Sequence, residues 1–350
     1  MPLSSGLPNP LVAVRYPRLR VLANGVIVPG AFEAEVLSNS HFAADRFRLG
    51  LALSADPTRG AAWWADQNAV LIDIAISLDG AYVNLLHGAV DSVEIDLLGD
   101  AVRLTGRDLS AGLIEARAQG TFANQTSSDI ATTLASRHGL SADVQPTTTP
   151  VGRYWQLEHD SLVLDGFARA TTEWDLLVTL AQYEGFGVWV QGTTLHFRAA
   201  DMSVAPVVLQ MAQLSALRLE RSLTLAQGIQ VTVKSWHSRA AQCYVQTASA
   251  NQTSEAGGNT LNYVYITPNL TPDMTLRLAQ QRLDELTQHE RVIVAEMPGE
   301  LSLVPGQQFL LQGTGTAFDR NYRINSVERR LDVARGFTQW LRAFSVGAST

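Results

Sequence analysis

A chain of 350 residues exceeds the ~250–300 residues at which a single core stops growing, so two or more domains are expected. Charged side chains make up only 17%, below the ~25% of an ordinary soluble domain, and part of the surface is therefore expected to lie against partners. A formal net charge of −7 and a pI of about 5.5 exclude a nucleic-acid binder that works by neutralising phosphates, and the single cysteine, Cys243, excludes an intrachain disulfide or a cysteine-based metal site.

Met1 to Pro10 is a Pro/Ser/Gly segment with no basic n-region and apolar h-region, so no signal peptide is expected. The most apolar run, Ala69 to Leu78, is interrupted by Asp73 and is shorter than a membrane span, and no membrane insertion is expected. From Val12 to Thr105 the signals are strands: Arg18 to Leu22, Phe32 to Leu37, Phe47 to Leu53, Val70 to Leu78, Ala81 to Leu85, Ala89 to Leu97 and Ala101 to Thr105. Asn24-Gly25 and Asp79-Gly80 are hairpin turns, because both supply residues that tolerate positive φ. Leu86-His87-Gly88 reads as a further turn. Many short strands with regular turns predict an antiparallel barrel. Trp63 and Trp64 read as a loop packed on a barrel end, in preference to an exposed aromatic patch.

The middle of the chain changes character. Thr126 to Asp129 resembles a capping box ahead of Ile130 and Leu134, with Gly139 as the stop; Thr172 and Asp175 repeat that start, with Gly185 as the stop. Val188 to Phe197 reads as a hairpin, so residues from about 115 to 200 form a small α/β insertion. Strands resume at Leu217 to Leu225 and Ile229 to Trp236, and Gln246 to Asn262 reads as a polar loop. Thr271-Pro272 starts the longest helix, to Gln288. Strands then follow at Val292 to Val294, Leu301 to Val304, Phe309 to Gln312 and beyond. The expected division is a barrel over 1–114, completed by 207–240; an inserted α/β domain over 115–206; and a second barrel over 241–350 that carries helix 272–288. The fold class is mainly β with an α+β insertion.

Ser92-Val93-Glu94 and Ser326-Val327-Glu328 each follow a turn-rich segment, continue in period-2 alternation and lead through a turn into another strand. Together they predict one hairpin unit used twice. Glu94 and Asp96 project from one side of their strand and Val93, Ile95 and Leu97 from the other. Glu94, Asp96 and Glu328 are the candidate lining of an acidic channel, the alternative being an ordinary solvated strand face.

Catalytic signatures are missing. There is no Walker A sequence, Gly-x-Ser-x-Gly elbow or His-Glu-x-x-His; Gly185-Phe186-Gly187 and Gly313-Thr314-Gly315 read as a helix stop and a β-turn. Glu158-His159-Asp160, with Asp165 and Glu173, is the densest titratable cluster, and paired carboxylates can cleave glycosides. It reads as a solvated turn or a domain contact. His41, His87, His138, His159, His196, His237 and His289 lack ligand spacing. No enzyme activity, metal or cofactor is expected.

Several segments, in order, resemble one family. Gly88 to Val93 followed by Leu104-Thr105-Gly106-Arg107-Asp108-Leu109, then Ile130 to Leu140, Asp175 to Val190 and Thr194 to Phe197, then Met297-Pro298-Gly299, Val304-Pro305-Gly306, Tyr322 to Glu328 and Gly336-Phe337, resemble phage baseplate hub proteins of the late control protein D type, related to the hub part of type VI secretion spike proteins. The resemblance implies two tail-tube-like barrels in each chain, so that a homotrimer presents six and joins a sixfold tail tube to a threefold central spike. It further implies contact with other baseplate proteins, DNA passing through the lumen without specific binding, and a place in the virion after assembly in the host cytoplasm. The chain ends soon after its last predicted strand, so the spike is expected to be a separate polypeptide. The alternatives are a tailocin or type VI secretion-like contractile particle, and a peptidoglycan hydrolase of the tail tip.

Overall fold

The structure, a computed structural model, describes residues 16–118, 122, 125–151, 172–199, 205–237, 240–250, 260–268 and 270–346. The chain opens with β1 (Arg18–Ala23), β2 (Val26–Ile27), β3 (Ala31–Asn39), β4 (Arg46–Ala52), the short helix α1 (Ala61–Ala65), β5 (Leu71–Ser77), β6 (Tyr82–Asp96) and β7 (Ala101–Asp108). These strands lie side by side in the order β3-β4-β7-β6-β5-β1-β2, all antiparallel. Their alternation explains the core. Val36 of β3, Leu49 of β4, Leu104 of β7, Ile74 of β5 and Val21 of β1 all point to one side and pack with the buried Trp64. Trp63 meets Trp64 edge-on, so the tryptophan pair closes this core and does not form an exposed patch.

The appended pieces follow. Residues 110–199 give α2 (Ser110–Glu115), α3 (Ser127–Arg137), β8 (Ser141–Val144), α4 (Glu173–Glu184), β9 (Gly187–Gln191) and β10 (Thr194–Arg198), with the sheet order β8-β10-β9 and β8 parallel to β10. Both capping boxes form: the Thr126 and Thr172 hydroxyls accept from the Asp129 and Asp175 N–H groups, and those carboxylates accept in return. Gly185 ends α4 at φ 74°, a conformation that disfavours other residues. Next come β11 (Val207–Gln210), β12 (Ala216–Arg221), β13 (Ile229–His237), β14 (Gln242–Ser249), β15 (Leu261–Ile266) and α5 (Pro272–Thr287). The sheet β14-β13-β15 packs one face on α5 around Val231, Val233 and Ala279.

The chain closes with β16 (Arg291–Pro298), β17 (Gln308–Gln312), β18 (Asn321–Asp332) and β19 (Gly336–Ser345). These strands, with β11 and β12, form a second unit in the order β12-β16-β19-β18-β17-β11 around Ile293, Leu311, Tyr322, Val327 and Leu341. One ladder, β18 against β3, fuses the two units into a single 13-stranded sheet. The fold is mainly β with few helices, as the alternation and turns predict.

Four expectations need correcting. Strands β11 and β12, expected to complete the first barrel, pair with β17 and β16 instead, while β13, expected there too, joins β14 and β15 of the expected second barrel in a sheet of their own on α5. Leu86-His87-Gly88 is no turn but the middle of the 15-residue strand β6. Gly88 is small for another reason: a Cβ there would overlap the Arg107 carbonyl of β7. The polar stretch from Gln246 to Asn262 holds the end of β14 and the start of β15, while Leu301 to Val304 is irregular.

Candidate assembly interface

The two Ser-Val-Glu segments occupy equivalent places. In β6, Val93 faces Leu104 of β7, and in β18, Val327 faces Leu341 of β19. Each strand has a register shift just before the serine: between Val90 and Ser92, leaving Asp91 unpaired, and between Ile324 and Ser326, leaving Asn325 unpaired. The repeat is therefore longer than three residues. It runs apolar, Asp or Asn, Ser, Val, Glu, and the side chain at the bulge is the part that identity alone hides.

At both bulges the strand loses its partner on one edge. Below the bulge, β6 pairs with β5 and β18 pairs with β17; above it, Ser326 to Asp332 keeps β19 on one side and on the other pairs antiparallel with β3 of the first unit. The matching segment of β6, Ser92 to Asp96, pairs with β7 on one side and, among the described residues, with no strand on the other. At the far end of the sheet β12, the counterpart of β3, pairs among the described residues only with β16. The two open edges are thus the two halves of the β18–β3 joint.

Gly106-Arg107-Asp108 holds the first bulge. A Cβ on Gly106 would overlap the Ala89 carbonyl and the Phe47 ring. The Arg107 guanidinium grips the bulge residue Asp91 through two bonds of 2.6 and 2.8 Å and reaches Glu115 at 2.6 Å, which raises its pKa. Asp108 accepts from the Ser110 N–H at 3.0 Å and its hydroxyl, starting α2, and from the Asp45 N–H at 3.0 Å. Burial raises the pKa of Asp108, and it pushes Asp45 up to about 7. Nearby, Arg329 donates to the Glu300 and Leu303 carbonyls, and burial lowers its pKa to about 10.

Glu94, Asp96 and Glu328 all lie on the sheet face away from the two cores. Glu94 is 3.8 Å from Arg103, Asp96 accepts the Gly99 N–H at 2.8 Å, and Glu328 is half-buried beside Glu35 and Arg330. Burial, and secondarily Glu35, raises the Glu328 pKa. The face is not purely acidic. Glu33, Arg48, Ser92, Glu94, Arg103 and Thr105 line an open depression of about 330 Å³ on it, and Arg330 bonds Glu33 at 2.8 Å.

Of the carboxylate cluster, Glu158, His159, Asp160 and Asp165 lie outside the described residues. Glu173 is buried and paired with Arg137 and, at 2.6 Å, His138, which ties α4 to α3. His87 and His196 each meet an aspartate at 2.7 Å, Asp73 and Asp143. His41 packs against Trp189, and burial, helped by Arg323, lowers its pKa to about 4. Among the described residues no group of three or more His, Cys, Asp or Glu side chains is placed to hold a metal ion.

This double β unit with α/β attachments is shared with solved tail proteins. A tail protein from Neisseria meningitidis MC58 superposes with a TM-score of 0.69 at 16% identity, over 94% of this chain and 96% of its own. The 43 kDa tail protein of prophage MuSo2 from Shewanella oneidensis gives 0.68 at 16%, over 94% and 98%. The E. coli c3393 protein, a type VI secretion component with structural similarity to the T4 bacteriophage tail proteins gp27 and gp5, gives 0.58 at 14%, over 94% and 77%. The fold is that of phage tail and type VI secretion components. Residues 71–332 match the family model of the Alg8 N-terminal domain, and the chain belongs to that family. No curated protein matches it.

Proposed function

We propose that this protein is a structural subunit of a phage tail or type VI secretion-like particle, a hub of three copies whose joined sheets surround a channel. The observation that carries the reading is the pair of matching open edges. A chain with the two halves of one joint at its opposite ends makes a head-to-tail interface, which closes into a ring when the rotation permits. Three copies would align six units, in keeping with the sixfold tube and threefold spike implied by the resemblance to late control protein D hubs. Glu94, Asp96 and Glu328 would face the lumen beside Arg48, Arg103 and Arg330, and this mixture of charges would give DNA little to bind.

The register of the joint follows from the repeat. Leu104 and Leu341 are equivalent, and their ladders make Ala34 of β3 equivalent to Leu217 of β12. Within the chain Arg330 stands opposite Glu35 and Arg329 opposite Val36. Between chains, Asp96 of one copy would stand opposite Arg218 of the next, and Ile95 opposite Leu219. The charge pair survives with its signs exchanged. Glu94 would meet Glu220, with Arg103 beside it to offset the repulsion. Mass measurement and electron microscopy of the purified chain test the reading: a three-membered ring is expected. A chain that stays monomeric at high concentration and in the presence of tube and spike proteins refutes it.

A further inference from the structure

The loop between β3 and β4, Ser40 to Asp45, is held by all three parts of the fold. The Ser40 N–H donates to the Asn325 carbonyl in the bulge of β18 at 2.8 Å. The Phe42 N–H donates to the Val188 carbonyl of β9 at 3.1 Å, and the Phe42 carbonyl accepts from the Trp174 indole of α4 at 3.2 Å. At its base the Asp45 carboxylate accepts the Asn39 N–H at 2.7 Å, and the Asp45 carbonyl accepts the Asp108 N–H at 3.0 Å. The core around Leu134, Leu177 and Phe197 belongs to residues 109–197 alone. The loop therefore ties together bodies that are packed separately.

Two of its residues sit there at a cost. Phe42 has φ 65°, in the left-handed region that disfavours an aromatic residue. His41 lies between Trp189, with ring centroids 5.3 Å apart, and the Gly306 turn ahead of β17, and its Nδ1 is buried with no hydrogen-bond partner among the described residues. A Cβ on Gly187 would come within 2.7 Å of that Nδ1, so the second glycine of Gly185-Phe186-Gly187 makes room for the ring. On its other face Trp189 stacks on His196 at 4.9 Å, and His196 and Arg198 bond Asp143 at 2.7 and 3.2 Å. Those charges lie one ring away from His41. Nearer to it, β18 presents Arg323, while Gly187 to Trp189 of β9 and the Pro305 to Gln307 turn present no charged side chain. Protonation would thus create an N–H at Nδ1 with no acceptor and a cation beside Arg323.

We propose that this loop is an acid-sensitive latch: with His41 neutral it clips the inserted domain to the joint between the two β units, and with His41 protonated it withdraws and lets that domain turn about the Asp108 to Ser110 connection. The device belongs to the single chain and does not depend on the ring. The direction follows from burial, which with Arg323 holds the latched His41 pKa at about 4 against the usual 6.5, so acid favours the open form, by roughly 80-fold at pH 4.5. Hydrogen exchange of the full chain between pH 7 and 4.5, corrected for the intrinsic rate, tests it by mass spectrometry. Peptides covering 39–45 should lose at least tenfold in protection on acidification, while β4 and β7 beyond the loop keep theirs. Spin labels at exposed positions 79 and 136, in a chain carrying Cys243→Ser, should show their distance distribution broaden over the same interval. His41→Phe should hold both readouts at their pH 7 values. Protection that stays flat in the wild-type chain, falls together with that of β4 and β7, or falls equally in His41→Phe overturns the latch, as does an unchanged label distance. The wild-type readouts alone decide against it whatever the stability of the variant.

Discussion

Reversing the charge of Arg218 offers the sharpest test of the edge-to-edge joint. Its counterpart inside the chain is visible: Arg330 of β18 stands opposite Glu35 and bonds Glu33 at 2.8 Å, the two side chains of that bond being 33% and 23% exposed. Such a pair contributes about 1 kcal/mol, and a like-charge pair opposite each other costs a similar amount. Arg218→Glu should therefore weaken each joint by about 2 kcal/mol. Over three joints this is about 6 kcal/mol, which moves the midpoint of a three-body assembly roughly a hundredfold in concentration. Sedimentation equilibrium across a dilution series reads that midpoint. Asp96→Arg in the same chain should bring it back towards wild type, and raised salt should narrow the gap. An unmoved midpoint in the single variant, or no recovery in the charge swap, refutes the register.

Gly106→Ala should destabilise the fold by about 3 kcal/mol through overlap with the Ala89 carbonyl and Phe47, and lower Tm by several degrees in a thermal melt; an unchanged Tm contradicts the close approach. The pH dependence of stability has two opposed parts. Between about pH 4 and 6.5 folded Asp45, with its pKa raised to about 7, holds a proton that the unfolded chain has lost, so its contribution falls as pH rises, and Asp108 acts in the same direction. Over the same range the unfolded chain holds a proton on His41 that the folded chain, with a pKa of about 4, does not, so this contribution grows as pH rises. Urea titrations at stepped pH should show Asp45→Asn gaining stability with pH more steeply than wild type and His41→Phe losing it. Two variants with the wild-type profile would show that neither group titrates as described.

Local chemistry was legible in the residues. Thr126 with Asp129 and Thr172 with Asp175 place helix starts, Gly185 places a stop, and Asn24-Gly25 places a turn, because each depends on neighbours within a few positions. Period-2 alternation predicts the core-facing set in β3, β4 and β7 for the same reason. The repeated Ser-Val-Glu pointed to duplication, and Gly-Arg-Asp marked the strand that holds the first bulge.

Pairings between distant strands were beyond local signals. Nothing near Ser326 says that β18 crosses to β3, and nothing near Val207 says that β11 joins β17, since those ladders join residues roughly 100 or more positions apart. The glycine at position 88 looks the same whether it serves a turn or the approach of a neighbouring backbone. By itself the sequence determined a mainly β chain with two related hairpins and three capped helices. Only tertiary structure decided that the repeat includes a bulge where the strand loses its partner on one edge, because a bulge is a relation between two strands and belongs to neither alone. That relation leaves the ends of the sheet open.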